Sequence, residues 1–321
     1  MKPKRTRPRT DLTQRNGDIH VAVLMGGPSS EADVSRKSGA AVAKALAAEG
    51  FRVAAVDFKE AALPPLPAGV QVVFPALHGH FGEDGQLQAL LAAAGLPFVG
   101  SDAAASRLIM DKQATKDALA AAGLPIIPGV LLTDPAAPLP AALGLPLIVK
   151  PNREGSTIGL TKVDAPAQWP AALALALKFG GGAVVERFVV GHECTVGLLD
   201  GQPLPVVQMV PPGDVYDYDA KYTYKLGPTL YFCPPRDLAA ATQAELQRLA
   251  AASFRALGAR DLLRMDFLVD KRDGTPWILE GNSIPGFTDA SLLPKAAAAA
   301  GIPFGALCAR LVRAALARGA R

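Results

Sequence analysis

Two runs near the C-terminus, "RMDFLVD" and "WILEGNS", are joined by "KRDGTP", and no other feature constrains the fold as tightly. Asp273-Gly274 is a hairpin turn signal, so the two runs pair antiparallel. Side chains alternate along a strand, which puts Arg264 and Asp266 on one face and Glu280 and Asn282 on one face of the partner. Counting back from the turn sets Asp266 opposite Glu280 to within about a residue, with Met265, Phe267, Trp277 and Leu279 on the reverse side.

Facing carboxylates repel unless a cation sits between them. An all-oxygen set suits Mg²⁺, which takes one or two carboxylates together with substrate phosphates. A solvated strand face with ordinary Asp/Glu to Arg pairing is the alternative, and the hairpin alone does not decide between them.

The 321 residues are half hydrophobic and 19% charged, which describes a folded chain of two or three domains. From His20 the order is strand, helix, strand: "HVAVLMGG", a helix ending at Gly50, "FRVAAVDF", "VQVVFPALHG", then the helix of "EDGQLQALLAAAGLP". This alternation reads as a parallel α/β domain over 19–111. A small α+β unit follows over 112–187, and the rest, 188–321, combines strands with two long helical patterns. In this last unit "QPLPVVQMV" reads as one strand.

The formal charge of +4 resides in residues 1–18, where six Lys and Arg face Asp11 and Asp18. The remaining chain is neutral, so a nucleic-acid-binding body is not indicated. The tail reads as a disordered basic arm without the apolar core of a secretory signal. No apolar stretch reaches the roughly 18 residues of a membrane span. Cys194, Cys233 and Cys308 form no CxxC pair, which fits a reducing cytoplasm without zinc or a disulfide framework.

Three loops carry further polar groups. In "VKPNREGSTIGL" the lysine precedes the loop, so the Walker A order is absent, yet Lys150 can still meet phosphate and the backbone of Gly155, Ser156 and Thr157 can cradle oxygens. A plain polar turn remains open for this stretch. "LMGGPSSE" lacks the GxGxxG spacing, and Glu31 reads as a helix-capping carboxylate. "ALHGHFGEDGQLQA" lies at a strand end, where α/β folds place ligands. His78 and His80 have HxH spacing, but no other cluster supports a metal there.

Taken in order, "HGHFGEDGQLQA", "VKPNREGSTIG", "YDYDAKY", "LLRMDFL" and "LEGNSIPGFTDASL" closely resemble the D-alanine–D-alanine ligases of the ATP-grasp superfamily, from about residue 20 onward. The resemblance implies an ATP-grasp fold: an N-terminal parallel-sheet domain, a small central α+β domain and a larger C-terminal α+β domain. It further implies joining of two D-alanines for peptidoglycan synthesis with ATP and two Mg²⁺ (or Mn²⁺), in a cytoplasmic homodimer.

By the same resemblance Lys112 and Lys150 contact the nucleotide phosphates, Glu186 with the backbone near Arg187 and Val189 holds adenine, and Glu193 takes the ribose. Asp266, Glu280 and Asn282 are the metal ligands. Glu31 takes the ammonium of the first D-alanine with His78 nearby, and Ser156 and Tyr222 join Glu31 in a hydrogen-bonded set. Lys221 faces the γ-phosphate, Arg264 and the Gly286 N–H form the oxyanion site, and Ser291 with the Leu292 N–H holds the second carboxylate. Met265, Gly281, Arg187 and the "NSIPG" segment depart from the commoner family residues without removing a catalytic side chain.

The implied chemistry is formation of an acyl phosphate, then attack by the second amine. The segment 211–230, long and rich in Gly, Pro and Tyr, reads as a lid. A D-alanine–D-lactate ligase, another ATP-grasp ligase and a nucleotide-binding regulator without turnover are the rivals; Tyr222 favours the dipeptide over the D-lactate product.

Overall fold

The structure, a computed structural model, describes residues 14–211 and 229–319. The N-terminal sheet is parallel, in the order β2-β1-β3, from β1 (His20–Gly26), β2 (Arg52–Phe58) and β3 (Val72–Pro75). Strand β1 is central and buried from Val21 onward, as an apolar run covered on both faces must be. Helix α1 (Ala32–Ala48) packs on this sheet, and α2 (Gln86–Ala93), α3 (Ala103–Met110) and α4 (Lys112–Ala121) follow. The sequence reading did not identify α3, although its signal is present: the Asp102 side chain accepts from the N–H groups of Ala104 and Ala105, satisfying donors the helix leaves open.

The central sheet is antiparallel, in the order β4-β7-β5-β6, from β4 (Gly129–Leu132), β5 (Leu147–Pro151), β6 (Thr161–Val163) and β7 (Ala183–Arg187). Helix α5 (Trp169–Leu177) covers it, burying Trp169 and Leu173 against Leu147, Val149 and Val185. Helix α4, grouped with this unit from sequence, instead buries Leu119 in the core beneath the largest sheet, and the Ile278 N–H donates to Pro125 O.

That third sheet is antiparallel, in the order β11-β10-β8-β12-β13. Its strands are β8 (Gly191–Leu199), β9 (Gln202–Pro203) paired to β8, β10 (Val207–Val210), β11 (Leu230–Phe232), β12 (Leu262–Asp270) and β13 (Pro276–Asn282). "QPLPVVQMV" is therefore two strands. Pro203 and Pro205 lack the N–H groups a continuous ladder needs. Helix α6 (Ala240–Ala256) lies beneath, with Leu246 and Leu249 against Met265, Phe267 and Ile278.

The last helices, α7 (Leu292–Ala299) and α8 (Phe304–Arg318), fold back on the beginning of the chain. Leu293, Leu307, Leu311 and Val312 share one core with Val21, Val23, Val42 and Leu46. Fully burying such side chains contributes about 1.5–3 kcal/mol each, so this core ties the first and last segments together. Residues 14–18, placed in the basic arm from sequence, include a single turn at Asn16–Asp18, where the Asn16 amide donates to Glu49 O at 2.6 Å and Arg313 bonds Gln14 O at 3.2 Å. No single helix among the described residues is long and apolar enough to cross a membrane.

Candidate active site

The hairpin expected from Asp273-Gly274 is formed by β12 and β13. Asp266 pairs with Glu280 and Arg264 with Asn282, the register that alternation requires. One detail differs. A bulge after Asp266 puts Ile278 opposite Phe267, so Ile278 takes the buried reverse face. Leu279, expected on that face, lines the cavities on the site side instead. Bulges commonly re-aim side chains beside sites in this way.

Gly281 stands opposite Met265, and a Cβ on it would lie 3.2 Å from the Met265 sulfur. The large residue thus occupies the space that the small one leaves.

The Arg264 guanidinium forks onto Asp266 at 2.9 and 2.7 Å, and Thr195 Oγ1 donates to Asp266 Oδ1 at 2.6 Å. Asn282 Oδ1 is buried and accepts no hydrogen bond among the described residues. A buried acceptor beside two facing carboxylates is an incomplete set unless a donor or cation completes it, so these side chains fit a hard divalent ion. His78 and His80 do not. Both His78 ring nitrogens are used within the protein, and His80 pairs with Asp84 at 2.7 Å.

Two cavities meet at this hairpin. The first, about 470 Å³, runs between the central and largest sheets and is lined by Lys112, Lys150, Glu186, Arg187, Val189 and Glu193. Glu186 lies between two ammoniums, Lys116 and Lys150, the latter at 2.7 Å. Burial opposes its charge, but the two lysines outweigh burial and hold its carboxyl below the ordinary value. Burial likewise opposes the charge on Lys150, which Glu186 and Glu280 restore, so its ammonium is raised. Lys112 is pulled down by burial although Glu280 lies 3.6 Å away. Arg187 lies over the Trp277 ring at 5.5 Å.

The second cavity, about 440 Å³, holds Glu31, His78, Ser156, Arg264, Gly286, Ser291 and Leu292. Glu31 corrects one reading from sequence. It occupies the N-cap of α1 but makes no side-chain capping bond; its carboxylate accepts instead from Ser156 Oγ. Glycine leaves room for this carboxylate on either side. A Cβ on Gly79, at φ +72, would lie 2.8 Å from Glu31 Oε2, and one on Gly155 would lie 3.3 Å away. Ser156 itself adopts the left-handed conformation at φ 51, which turns the loop after β5 toward Glu31.

His78 is buried, with Nδ1 3.0 Å from Ile284 O and Nε2 3.0 Å from Ser38 Oγ. A carbonyl only accepts, so Nδ1 carries the proton, and burial keeps the ring below its ordinary value. Ser38 Oγ also accepts from the Phe287 N–H at 3.2 Å. The same turn meets Glu83, which accepts from the Gly79 N–H at 2.6 Å; burial, reinforced by Glu31, pushes its carboxyl up to about 8. Ser291 stands at the N-cap of α7 without a side-chain capping bond, its hydroxyl engaged by Thr288, and the N-terminus of that helix opens into the cavity.

Lys221 and Tyr222, and nearly all of the lid expected over 211–230, lie outside the described residues. Thr195, Ser38 and Lys116 escaped the sequence reading. Only Lys116 carried a usable signal, since it lies four residues from Lys112 on one helix face; the others meet the site through pairings between distant segments.

A cleft between two antiparallel sheets, with buried lysines on one side and paired carboxylates on the other, defines the ATP-grasp class. Sequence models described as the D-ala D-ala ligase N-terminus and C-terminus match residues 54–101 and 119–313. A D-alanine–D-alanine ligase of Alkalilimnicola ehrlichii is 43% identical over 295 residues, 91% of this chain and 93% of the relative. One of Bordetella petrii is 44% identical over 315 residues, covering 96% and 94%. The crystal structure of D-alanine–D-alanine ligase from Bacillus anthracis superposes with a TM-score of 0.81 at 30% identity, covering 93% of this chain and 97% of that one; its complex with ATP gives 0.77 at 27%. The chain belongs to the D-alanine–D-alanine ligase family.

Proposed function

We propose that this chain joins two D-alanines into D-alanyl-D-alanine for peptidoglycan synthesis, using ATP and forming ADP and phosphate. The observation that carries this reading is the meeting of the two cavities at Asp266 and Glu280, which brings a nucleotide and an amino acid to one pair of carboxylates.

In this reading Glu186 and the backbone near Arg187 and Val189 hold adenine, Glu193 the ribose, and Lys112 and Lys150 the phosphates. Glu31, oriented by Ser156, takes the ammonium of the first D-alanine, and the carboxylate oxygen of that D-alanine attacks the γ-phosphorus. ADP leaves and an acyl phosphate remains. Tyr222 and Lys221 complete the set. Asp266, Glu280 and Asn282 would hold Mg²⁺ or Mn²⁺, which when bound spreads the phosphate charge that repels the attacking carboxylate.

The second D-alanine is held by its carboxylate at Ser291 and the Leu292 N–H, where a helix N-terminus favours an anion. Its amine, once deprotonated, attacks the acyl carbon, and the phosphate departs. Arg264 and the Gly286 N–H stabilise the tetrahedral oxyanion; one such donor typically contributes about 100-fold in rate or more. The reading includes a cytoplasmic homodimer as the working form. Phosphate release from ATP and Mg²⁺ should depend on D-alanine and match dipeptide formed. Absence of stimulation by D-alanine would sink this assignment.

A further inference from the structure

Helix α4 carries two lysines one turn apart. Lys112 faces the shared part of the two cavities, whereas Lys116 lies behind Glu186, its side chain 4% exposed. The Lys116 ammonium donates to Ile127 O at 2.7 Å and to Glu186 Oε1. Lys150 takes the other oxygen, Glu186 Oε2, at 2.7 Å. One buried carboxylate therefore serves two ammoniums, of which, among the described residues, Lys116 is anchored to backbone as well.

We propose that Lys116 is a positioning residue of the nucleotide site: it holds Glu186 with one oxygen fixed, the other presented to the cavity, and a countercharge always in place. This rests on reading the larger cavity as the nucleotide site.

Two consequences follow from charge. When Lys150 turns from Glu186 to phosphate, Glu186 keeps Lys116 and is not left as an uncompensated buried anion, a state proteins strongly disfavour. The released Oε2 can then accept from the exocyclic amino group of a 6-aminopurine, since a carboxylate offers about four acceptor directions and Lys116 fills only one. Without Lys116, Lys150 would be the sole partner of Glu186 and would be held away from phosphate. Lys116 thus acts on both base selection and phosphate binding without touching the nucleotide.

The test is a kinetic cycle of wild type, Lys116→Met, Glu186→Gln and the double variant, each assayed with ATP and with ITP, whose base carries a 6-oxo group. Lys116→Met should raise KM for ATP on the order of tenfold, the scale of one charged hydrogen bond, leave KM for D-alanine unchanged and shrink the preference for ATP over ITP. In the double variant the effects should not add, because without the Glu186 charge there is nothing for Lys116 to hold. A Lys116→Met protein that melts earlier but keeps KM for ATP and the ATP preference would reduce Lys116 to a structural lysine. Additive effects in the double variant would also overturn the proposal; where Lys116→Met alone does not fold, the double variant should match Glu186→Gln in KM for ATP, and a KM raised further would overturn it. If Glu186→Gln itself leaves KM for ATP unchanged, the nucleotide reading of the cavity fails together with the proposal; if only Lys116→Met is silent, the proposal fails alone.

Discussion

Asp266 stands directly opposite Glu280 across β12 and β13, and Asn282, two residues further on, has a buried oxygen without a hydrogen-bond partner among the described residues. In the proposed reading these three oxygen-bearing side chains of the hairpin would hold the divalent ion. Asn282→Ala should raise the Mg²⁺ concentration for half-maximal phosphate release by about 10–100-fold, with KM for D-alanine nearly constant. A Mg²⁺ titration of wild type and variant checks this; coincident curves would move the ion elsewhere.

Lys150, on β5, and Ser156, in the loop after it, lie six residues apart but face different cavities: Lys150 lines the first and Ser156 the second. Lys150→Ala should chiefly raise KM for ATP. Ser156→Ala, which removes the bond to Glu31, should chiefly disturb D-alanine kinetics, by about tenfold for one charged hydrogen bond. Steady-state kinetics with each substrate varied in turn will separate them. The same ATP-only defect in both variants would contradict the division.

Glu83 gives a pH signature. Its native carboxyl titrates near 8 against an ordinary 4.5, because burial and nearby Glu31 disfavour its charge. The native state therefore binds a proton more tightly than the unfolded chain between those values. The stability contributed by the neutral carboxyl is complete below about pH 4.5 and is lost as pH rises through about 8. Glu83→Gln keeps the neutral form at every pH, so its melting temperature should gain on wild type from pH 5 to 8 and level off above. Parallel melting curves across that range would exclude this titration.

Arg318, at the end of α8, pairs with buried Asp261, whose other oxygen accepts from the Gly100 N–H at 2.7 Å; Arg318 also donates to Phe98 O at 2.7 Å. Arg318→Met leaves that carboxylate without its ion partner and should cost on the order of 2 kcal/mol. Urea unfolding measures the loss. Catalysis at the folded protein should change little, since neither residue lines the two cavities.

Much of this architecture is visible in local pattern. The Asp273-Gly274 turn and alternation predict the register of Asp266 with Glu280, because both are short-range rules. The bulge that sends Leu279 into the cavities and Ile278 into the core is not visible, because it depends on how β12 also packs against β8 and α6. Glu31 shows the same limit. At a helix start its local role is capping; only the approach of the loop after β5, 125 residues away, turns it into a partner of Ser156.

By itself the sequence determined the strands, the turns, the glycines beside Glu31 and the family motifs, all of which act over a few residues or are carried by residue identity. Tertiary structure decided which charges meet. Thr195 reaches Asp266 through strand pairing, Lys116 reaches Glu186 across 70 positions, and His78 reaches Ile284 across 206. Such contacts depend on packing between elements distant in the chain, and burial then sets how strongly each charge is felt.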